Sequence, residues 1–406
     1  MSGQAVANRA STAEARRLLG GRGLRAFADG YVAILLPAYL IELGYGGFDV
    51  GLLSTATLLG SALATLAIGA VGHRWPSRRL LLAAALLMAA TGLGFAGLSS
   101  FWPLLLVAFV GTINPSSGDV SVFLPLEHAR IADSTGGDAR TVLFARYSLT
   151  GALCAAVGAL AAGIPTWLAL HQTVDRLAGI RAMFLLYALI GLLVWWLYRR
   201  LPVDDGRVAS RPAPLGPSRG IVLKLAALFS VDAFAGGLVV NSLLSLWLFE
   251  RFGLSLVQAG AFFFWAGLLA AGSQLAAPVV ARRIGLLNTM VFTHIPANLC
   301  LIAAALVADL WLALGLLFVR AALSQMDVPT RSAFVMAVVT PAERAAAASF
   351  TAVPRSLASA ASPTLAGALM AAGLLGAPLI ACGVLKIGYD LALLAAFRNV
   401  RPAAQD

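Results

Sequence analysis

The sequence predicts an all-α membrane protein with twelve helices that each cross the bilayer. Three observations lead to this fold class: an apolar composition, long hydrophobic segments at regular intervals, and basic residues grouped on one side of those segments. Of the 406 residues, 60% are hydrophobic and only 12% are charged, whereas soluble proteins carry about 25% charged residues. A chain of this composition belongs in lipid over most of its length.

Twelve segments are long and apolar enough to span a bilayer, which takes about 20 mostly apolar residues. They cover residues 25–44, 50–71, 79–98, 102–123, 142–163, 181–199, 221–248, 256–279, 288–307, 310–332, 346–371 and 377–397. Most of the 29 Lys and Arg residues flank these segments on the side that holds both termini. Because cytoplasmic loops are enriched in basic residues, we expect both termini in the cytoplasm and the protein in the cell (inner or plasma) membrane.

A polar connector, residues 201–220, is rich in Pro and Gly and separates two sets of six segments. It predicts a cytoplasmic linker between an N-terminal six-helix bundle, residues 1–200, and a C-terminal six-helix bundle, residues 221–406. The two halves also resemble each other in sequence, since Asp29 and Asp232 fall at corresponding positions. Duplicated halves of this kind are typical of transporters whose two halves rock around a site.

The loops after the second and eighth segments share a pattern. It reads GAVGHRWPSRR in the first half (69–79) and PVVARRIGLLN in the second (278–288). These stretches resemble the Gly-x-Leu-Ala-Asp-Arg-x-Gly-Arg-Arg signature of the major facilitator superfamily, and the resemblance covers essentially the whole chain. The matching positions are Gly69, Arg74, Arg78, Arg283 and Gly285. His73, Pro76 and Arg282 depart from the signature, and the family's Arg-x-x-x-Gly motif is absent from its expected place in helix 4.

The resemblance implies two pseudo-symmetric six-helix bundles and transport by alternating access. The central cavity would be lined mainly by helices 1, 4, 7 and 10, and the matching loop residues would act in the conformational change. His73 and Arg282 replace the acidic residue of the signature. We therefore expect another contact, from Glu127 or Glu343, to take over the family's usual lock between loops.

A polar stripe runs along the predicted tenth helix. Arg320, Ser324, Asp327 and Arg331 follow one another at steps that return to one helical face. Arg320 falls near the middle of the span, where a charge costs about 2.5–3.5 kcal/mol and usually marks function. We predict that Arg320 and Ser324 bind solute and that Asp327 takes part in proton coupling. Arg331 is expected at the cytoplasmic rim, as a snorkelling anchor or an attractor.

Helices 7 and 11 are predicted to add Asp232, Asn241 and Arg355 to this polar set. We predict that Arg355 and Asn241 bind solute and that Asp232 carries the coupling proton. In this hypothesis Asp232 holds Arg320 while the site is empty, and protonation of Asp232 frees the guanidinium for an anionic group. The alternative is a permanent ion pair that holds helices 7, 10 and 11 together.

The first half contributes fewer candidates. Asn114 lies on a predicted polar stripe of helix 4 and is the candidate for solute binding in this half. Pro115 is expected to bend that helix, and Asp119 is expected to pair with Arg146 of helix 5. Asp29 of helix 1 loosely resembles an acidic residue of drug/proton antiporters, and we predict a role for it in proton coupling.

Three ionisable residues of the second half are expected to have structural roles only. Lys386 and Asp390 are four residues apart on helix 12 and are expected to pair with each other. The family's geometry places that helix outside the cavity. His294 on helix 9 is expected to be a packing residue rather than a proton relay.

Several functional classes are not indicated by this sequence. It contains no Walker loop, no cluster with metal-ligand spacing and no nucleophile elbow. We therefore expect neither ATP-driven transport nor an enzyme, and no cofactor or metal. The basic residues alternate with apolar segments and form no patch of the kind that binds nucleic acid.

The sequence instead predicts a secondary active transporter of a small solute, coupled to protons and working as a monomer. The excess of intramembrane Arg favours an anionic or amphiphilic solute, and the antiporter-like Asp29 favours export. One alternative is a proton-coupled importer (symporter) of an organic anion or another metabolite. A second is a membrane receptor of the same fold that does not transport.

Overall fold

The computed structural model describes residues 3–71, 74–116, 121–134, 137–172, 175–203, 216–340 and 343–398. Within these ranges the protein consists of helices joined by short loops, without β-strands. The helices are α1 (Gly3–Glu42), α2 (Gly47–Val71), α3 (Ser77–Gly97), α4 (Phe101–Val110), α5 (Phe123–Ser134), α6 (Gly137–Ala161), α7 (Ile164–His171), α8 (Arg176–Tyr198), α9 (Arg219–Gly237), α10 (Asn241–Phe252), α11 (Leu256–Ile284), α12 (Leu286–Leu306), α13 (Leu310–Ser324), α14 (Asp327–Val338), α15 (Arg344–Ala361), α16 (Pro363–Ala371) and α17 (Ala377–Phe397). The predicted all-α fold is confirmed.

Ten helical stretches of the described residues are long and apolar enough to cross a membrane. They are Ala13–Glu42, Gly47–Ala70, Ser77–Gly97, Val142–His171, Arg176–Tyr198, Arg219–Phe252, Leu256–Ile284, Leu286–Leu306, Leu310–Val338 and Ala377–Phe397. In chain order they correspond to ten of the predicted spans. The other two predicted spans, 102–123 and 346–371, are each divided between two helices. The total of twelve spans therefore stays a prediction.

The predicted fourth span is broken near its middle, which contradicts the continuous polar stripe expected there. Helix α4 ends at Val110 and α5 begins only at Phe123. Pro115 has no N–H to continue a helical ladder. Beside it, Oδ1 of Asn114 accepts hydrogen bonds from the backbone N–H and the hydroxyl of Ser116, at 3.0 and 2.7 Å. Such local bonds compete with helix formation.

The predicted tenth span is also divided, into α13 and α14. Gln325 and Met326 separate the two helices. Pro329 explains the position of the break, because its ring collides with the carbonyl four residues earlier but is tolerated in the first turn of a new helix. Asp327 begins α14, where a carboxylate faces the positive end of the helix dipole. The polar stripe predicted on one straight helix is therefore divided between two.

The chain forms two compact units. Unit 1 consists of Met1–Tyr45, Ala56–Ala209 and Leu254–Phe264. Unit 2 consists of Gly46–Thr55, Ser210–Gly253 and Trp265–Asp406. Each unit contains most of one predicted half and a short stretch of sequence from the other.

In unit 1, α1 packs along α6 and α3 packs along α8. The backbones of α1 and α6 meet at two glycines. A Cβ atom at Gly30 would lie 2.1 Å from the carbonyl oxygen of Ala155, and one at Gly158 would lie 2.0 Å from that of Phe27. Only glycine fits at these positions. Close backbone approach at small residues is a common way for membrane helices to associate.

In unit 2, α9 packs along α15, and α12 packs along α13 and α17. The pair α9–α15 repeats α1–α6, and α12–α17 repeats α3–α8, as expected for a duplicated architecture. An apolar core forms where α9, α14 and α17 meet, and it includes Leu225, Phe229, Phe334, Tyr389 and Phe397. The same three helices also bring charged side chains together.

Candidate functional site

The central feature of unit 2 is a buried carboxylate that binds two cations. Oδ1 of Asp232 in α9 accepts a hydrogen bond from Nζ of Lys386 in α17 at 2.5 Å. Its Oδ2 accepts one from Nη1 of Arg331 in α14 at 2.9 Å. Asp232 is only 4% exposed. A charge this deeply buried is costly unless it is paired, and each of its oxygens has a cation.

Arg331 connects a second carboxylate to this group. Its Nη1 lies 3.3 Å from Oδ2 of Asp327, four residues earlier in α14. Oδ1 of Asp327 is buried and has no hydrogen-bond partner among the residues that the structure describes. We refer to Asp232, Asp327, Arg331 and Lys386 as the inner charge cluster.

Arg331 is buried among ionic partners, whereas the sequence predicted a snorkelling anchor or an attractor at the membrane rim. The residue is 6% exposed, binds two carboxylates, and lies with its guanidinium 5.6 Å from the ring centroid of Phe229. The predicted span ended at residue 332, but α14 continues to Val338. That extension adds about 9 Å of helix after residue 332, so Arg331 does not lie at the end of its helix.

The predicted pair between Lys386 and Asp390 is wrong. Lys386 reaches α9 instead, where it binds Asp232 beside Gly236; a Cβ atom at Gly236 would lie 3.8 Å from Nζ. Asp390 accepts from Nδ1 of His294 in α12, which is 3.0 Å from each carboxylate oxygen. His294, expected to be a packing residue, is thus buried with its Nδ1 bonded to a carboxylate.

Two further arginines of unit 2 lie near the cluster without a direct partner. Arg355 in α15 is exposed and makes no hydrogen bond or ion pair within the described ranges, although Arg331 repels it and Asp232 and Asp327 attract it. Arg320 in α13 is half-buried, and its Nε has no hydrogen-bond partner in the described part of the chain.

The predicted pairing of Arg320 with Asp232 is also wrong. Arg331 and Lys386 occupy both oxygens of that carboxylate. Arg320 instead lies near Cys382 of α17, which is one helical turn before Lys386 and shares its face of the helix. Arg320 therefore borders the cluster without belonging to it.

Asn241 and Ser324, predicted to bind solute, are half-buried and are not bonded to the inner charge cluster. Asn241 begins α10, and its carbonyl oxygen accepts a hydrogen bond from the hydroxyl of Ser245 at 2.8 Å. Ser324 is the last residue of α13. Their predicted role in binding stays a prediction.

Unit 1 contains a second buried ionic group, centred on Glu127 of α5. This residue is fully buried and accepts hydrogen bonds from Arg25 of α1, Tyr147 of α6 and Tyr198 of α8. Nη2 of Arg25 is 2.7 Å from Oε2 of Glu127. The guanidinium carbon lies 4.0 Å from the ring centroid of Phe123, so its apolar face is covered as well.

The Glu127 group contains functional candidates that the sequence reasoning missed. Arg25 is the first residue of the predicted first span, 25–44, but it lies well inside α1 and is buried. No local pattern in the sequence connects Arg25 with Glu127, which is 102 residues away. Glu127 had been expected to lock loops together, and its burial against Arg25 contradicts this expectation.

The other first-half candidates have different surroundings. Asp29 is half-buried in α1 and interacts electrostatically with Arg22 and Arg25. Asn114 is 2% exposed and is engaged in the turn after α4. Asp119, expected to pair with Arg146, lies outside the described residues.

The residues that match the loop signature lie at helix ends. Gly69, Arg74 and Arg283 are exposed, and Arg78 donates a hydrogen bond to the carbonyl oxygen of Arg199. Gly285 separates α11 from α12 with φ of 88°, a left-handed conformation that favours glycine. His73 lies outside the described residues.

Glu343 holds the end of the predicted linker. It accepts hydrogen bonds from the backbone N–H groups of Gly216 and Ser218 and from the hydroxyl of Thr340. Hydrogen bonds from Ser218, Thr340 and Gly216 stabilise the charged form and lower the pKa of Glu343 to about 2. Of the two expected loop contacts, Glu343 therefore does bind a loop segment, within unit 2.

The chemistry available in unit 2 is ion and proton binding. Among the described residues, no group of three or more His, Cys, Asp or Glu side chains is placed to hold a metal ion. The inner charge cluster instead provides buried carboxylates that share cations. Nearby lie two arginines without a direct partner, of the kind that binds carboxylates or phosphates through two hydrogen bonds.

The whole chain is similar in sequence to one curated protein and in structure to several transporters. It is 25% identical to the uncharacterized membrane protein YJR124C of Saccharomyces cerevisiae, over 93% of this chain and 92% of that protein. The fold resembles a bacterial homolog of the human lysosomal transporter Spinster in an inward-facing, occupied conformation (TM-score 0.74, 16% identity, 96% of this chain and 98% of that one). It also resembles the nucleoside transporter NupG (TM-score 0.72, 14% identity, 95% and 99%) and the human organic anion transporter MFSD10 (TM-score 0.66, 18% identity, 94% and 99%).

A family model agrees with the fold and with the signature in the loops. It is described as Major Facilitator Superfamily and matches residues 18–363, most of the chain. The protein is thus a multi-pass membrane protein, and its family points to a transporter of small molecules rather than an enzyme. The chain belongs to the Major Facilitator Superfamily.

Proposed function

We propose that this protein is a secondary active transporter that moves a small anionic or amphiphilic solute by alternating access and couples this movement to protons. One observation carries the proposal: Asp232 is buried, shares its two oxygens between Lys386 and Arg331, and lies within electrostatic reach of Arg355. We place the protein in the cell membrane as a monomer with both termini in the cytoplasm.

A shared buried carboxylate couples a proton to an anion. When Asp232 is ionised, it neutralises Arg331 and Lys386. When it takes up a proton, both cations lose their partner, and an anionic group can take its place. A buried charge left without its partner costs about 3–5 kcal/mol, so the empty ionised site and the protonated, anion-bound site are favoured over the intermediate states. Proton and solute then strengthen each other's binding to the same extent.

Arg355 is the best candidate for the first contact with the solute. It is exposed and has no direct partner in the described part of the chain, and a planar guanidinium binds a carboxylate through two hydrogen bonds. Arg320 is a second candidate. Polar contacts are proposed from three further residues, Ser324, Asn241 and Asn114. Asp327 and Asp29 are proposed as additional proton carriers, and the loop residues Gly69, Arg74, Arg78, Arg283 and Gly285 as parts of the conformational change.

Export is slightly favoured, because Asp29 resembles an acidic residue of antiporters, whereas joint binding of proton and solute at Asp232 would drive a symporter. The alternative is a proton-coupled importer of an organic anion or another metabolite. Two proteins of similar structure are a nucleoside transporter and an organic anion transporter, and both solute classes include molecules with anionic or polar groups. A receptor of the same fold would not need a carboxylate shared between two buried cations.

The proposal is tested with Asp232→Asn in proteoliposomes. Radiolabelled organic anions are first screened for uptake driven by a pH gradient with the unaltered protein. For any anion that is moved, we expect Asp232→Asn to abolish uphill uptake while exchange of labelled for unlabelled anion continues, because the amide mimics the protonated carboxyl.

Asp175→Asn is the matched control. Asp175 is exposed and caps α8 by accepting from the N–H of Ala178, and Asn caps helices as well as Asp. This variant should transport normally. Unchanged uphill uptake by Asp232→Asn would remove Asp232 from the mechanism.

A further inference from the structure

A second acidic group lies beside the inner charge cluster, in the contact between α12 and α17. Asp390 is fully buried and His294 is 4% exposed. Nδ1 of His294 lies 3.0 Å from both carboxylate oxygens of Asp390, and the ring packs edge-on against Tyr389 with 6.4 Å between centroids. Burial of this kind prevents water from screening the pair.

The pair and the cluster form one electrostatic unit. Asp390 and Lys386 lie on one face of α17, four residues apart, and Lys386 binds Asp232. His294 attracts Asp232, and Asp390 is repelled by Asp232 and Asp327. The titratable and charged groups around the pair come from five helices. They are Asp232 from α9, Arg320 from α13, Asp327 and Arg331 from α14, Arg355 from α15, and Cys382, Lys386 and Tyr389 from α17.

The balance of charge in this unit is incomplete. Its three carboxylates are those of Asp232, Asp327 and Asp390. Its buried permanent cations are those of Arg331 and Lys386, whereas Arg355, which Asp232 and Asp327 attract, is exposed. One buried negative charge is therefore in excess of the buried cations while the imidazole is neutral. An uncompensated charge at this depth is costly, and one proton on His294 removes the excess.

We propose that His294 and Asp390 form a second proton-binding site of the transporter, whose proton balances the charge of the inner charge cluster. The proton adds to the free ring nitrogen, and the resulting imidazolium stays bound to the carboxylate of Asp390. This inference rests on the proposed function, because removing the excess negative charge makes the cluster less repulsive to an anionic solute. Asp232 and His294 are then separate proton sites, and protonation of either one reduces the negative charge at the cluster.

The test follows the protonation of His294 directly and needs no solute. The full-length protein is labelled with ring-15N histidine, placed in lipid nanodiscs and titrated from about pH 5 to pH 9, the range in which histidine usually titrates. The chain has four histidines, and His294→Gln identifies the signal of His294 by its loss. We expect that signal to change reversibly with pH in the unaltered protein.

Two variants should move the midpoint of this titration in opposite directions. Asp390→Asn removes the negative partner of the imidazolium, so the midpoint should fall by about one pH unit, a roughly tenfold loss of proton affinity. Lys386→Gln removes a neighbouring positive charge, so the midpoint should rise. Partial unfolding would expose His294 in both variants and cannot produce shifts of opposite sign. Asp175→Asn, far from the pair in sequence and exposed, should leave the midpoint unchanged.

The result also separates this inference from the proposed function. If His294 does not titrate in this range, or its midpoint is the same in all variants, the second proton site is refuted even when Asp232→Asn abolishes uphill uptake. If the midpoints shift as expected but Asp232→Asn transports normally, the pair binds protons and the proposed coupling through Asp232 is wrong.

Discussion

Replacing Arg331 with Met is expected to destabilise the protein by about 3–5 kcal/mol. Arg331 lies 2.9 Å from Asp232 and 3.3 Å from Asp327. Removing one partner of a buried ion pair costs about this much, because the other charge stays buried and unpaired. Asp232 keeps Lys386 after the change. Asp327 keeps no ion-pair partner among the described residues, so most of the loss should come from Asp327.

The free energy of unfolding is measured by titrating the full-length protein in mixed micelles with sodium dodecyl sulfate. Arg251→Met is the control in the same unit. Arg251 is exposed near the end of α10, and its guanidinium lies 6.0 Å from the ring centroid of Phe252. Surface substitutions of this type usually change stability by no more than about 0.5 kcal/mol.

A double variant identifies the source of the loss. If the unpaired Asp327 causes it, adding Asp327→Asn to Arg331→Met should recover more than about 1 kcal/mol, a coupling typical of residues in contact. A loss for Arg331→Met as small as that for Arg251→Met would refute the reasoning. So would a double variant whose losses simply add.

Two further predictions concern other parts of the molecule. Because the pKa of Glu343 is lowered to about 2, its stabilising effect should be complete above about pH 4.5, the ordinary value, and should be lost as the pH falls toward 2. The difference in melting temperature between the unaltered protein and Glu343→Gln should therefore vanish at acid pH; a constant difference would contradict this. Gly158→Ala should lower the free energy of unfolding by about 1–3 kcal/mol, because the added methyl group would be overpacked against Phe27. Gly69→Ala, at an exposed and open helical position, should not destabilise the protein. Equal effects of the two substitutions would contradict the close contact at Gly158.

The spans were predictable because a membrane helix is specified by local composition. Each of the ten confirmed stretches can be read from a window of about 20 residues. The breaks in the fourth and tenth spans depend on single residues, Pro115 and Pro329, whose effect varies with their place in a helix. A proline in an apolar run predicts a bend. Whether the helix continues after the bend depends on which other groups can form hydrogen bonds with the backbone carbonyls that the proline leaves unpaired.

The ion pairs were not predictable, because their partners are far apart in the sequence. Asp232, Arg331 and Lys386 come from α9, α14 and α17, and no local pattern connects them. The rule that residues four apart on a helix pair with each other suggested Lys386 with Asp390. That rule fails here because α17 faces a carboxylate on α9, which binds Lys386, and an imidazole on α12, which binds Asp390.

The contrast between the two buried ionic groups supports placing the binding chemistry in unit 2. In unit 1, Glu127 accepts from Arg25 and from two tyrosine hydroxyls, so each group has its partner and any change would break several bonds at once. A fully satisfied network of this kind rigidifies a fold.

In unit 2, one oxygen of Asp327 has no hydrogen-bond partner among the described residues, and Arg355 makes no direct contact with an anion there. A group that lacks one donor can gain a proton, and one that lacks an acceptor can gain an anion, with little to break in either case. Transport requires a site whose charge state can change at small cost, and the inner charge cluster meets that requirement where the Glu127 group does not.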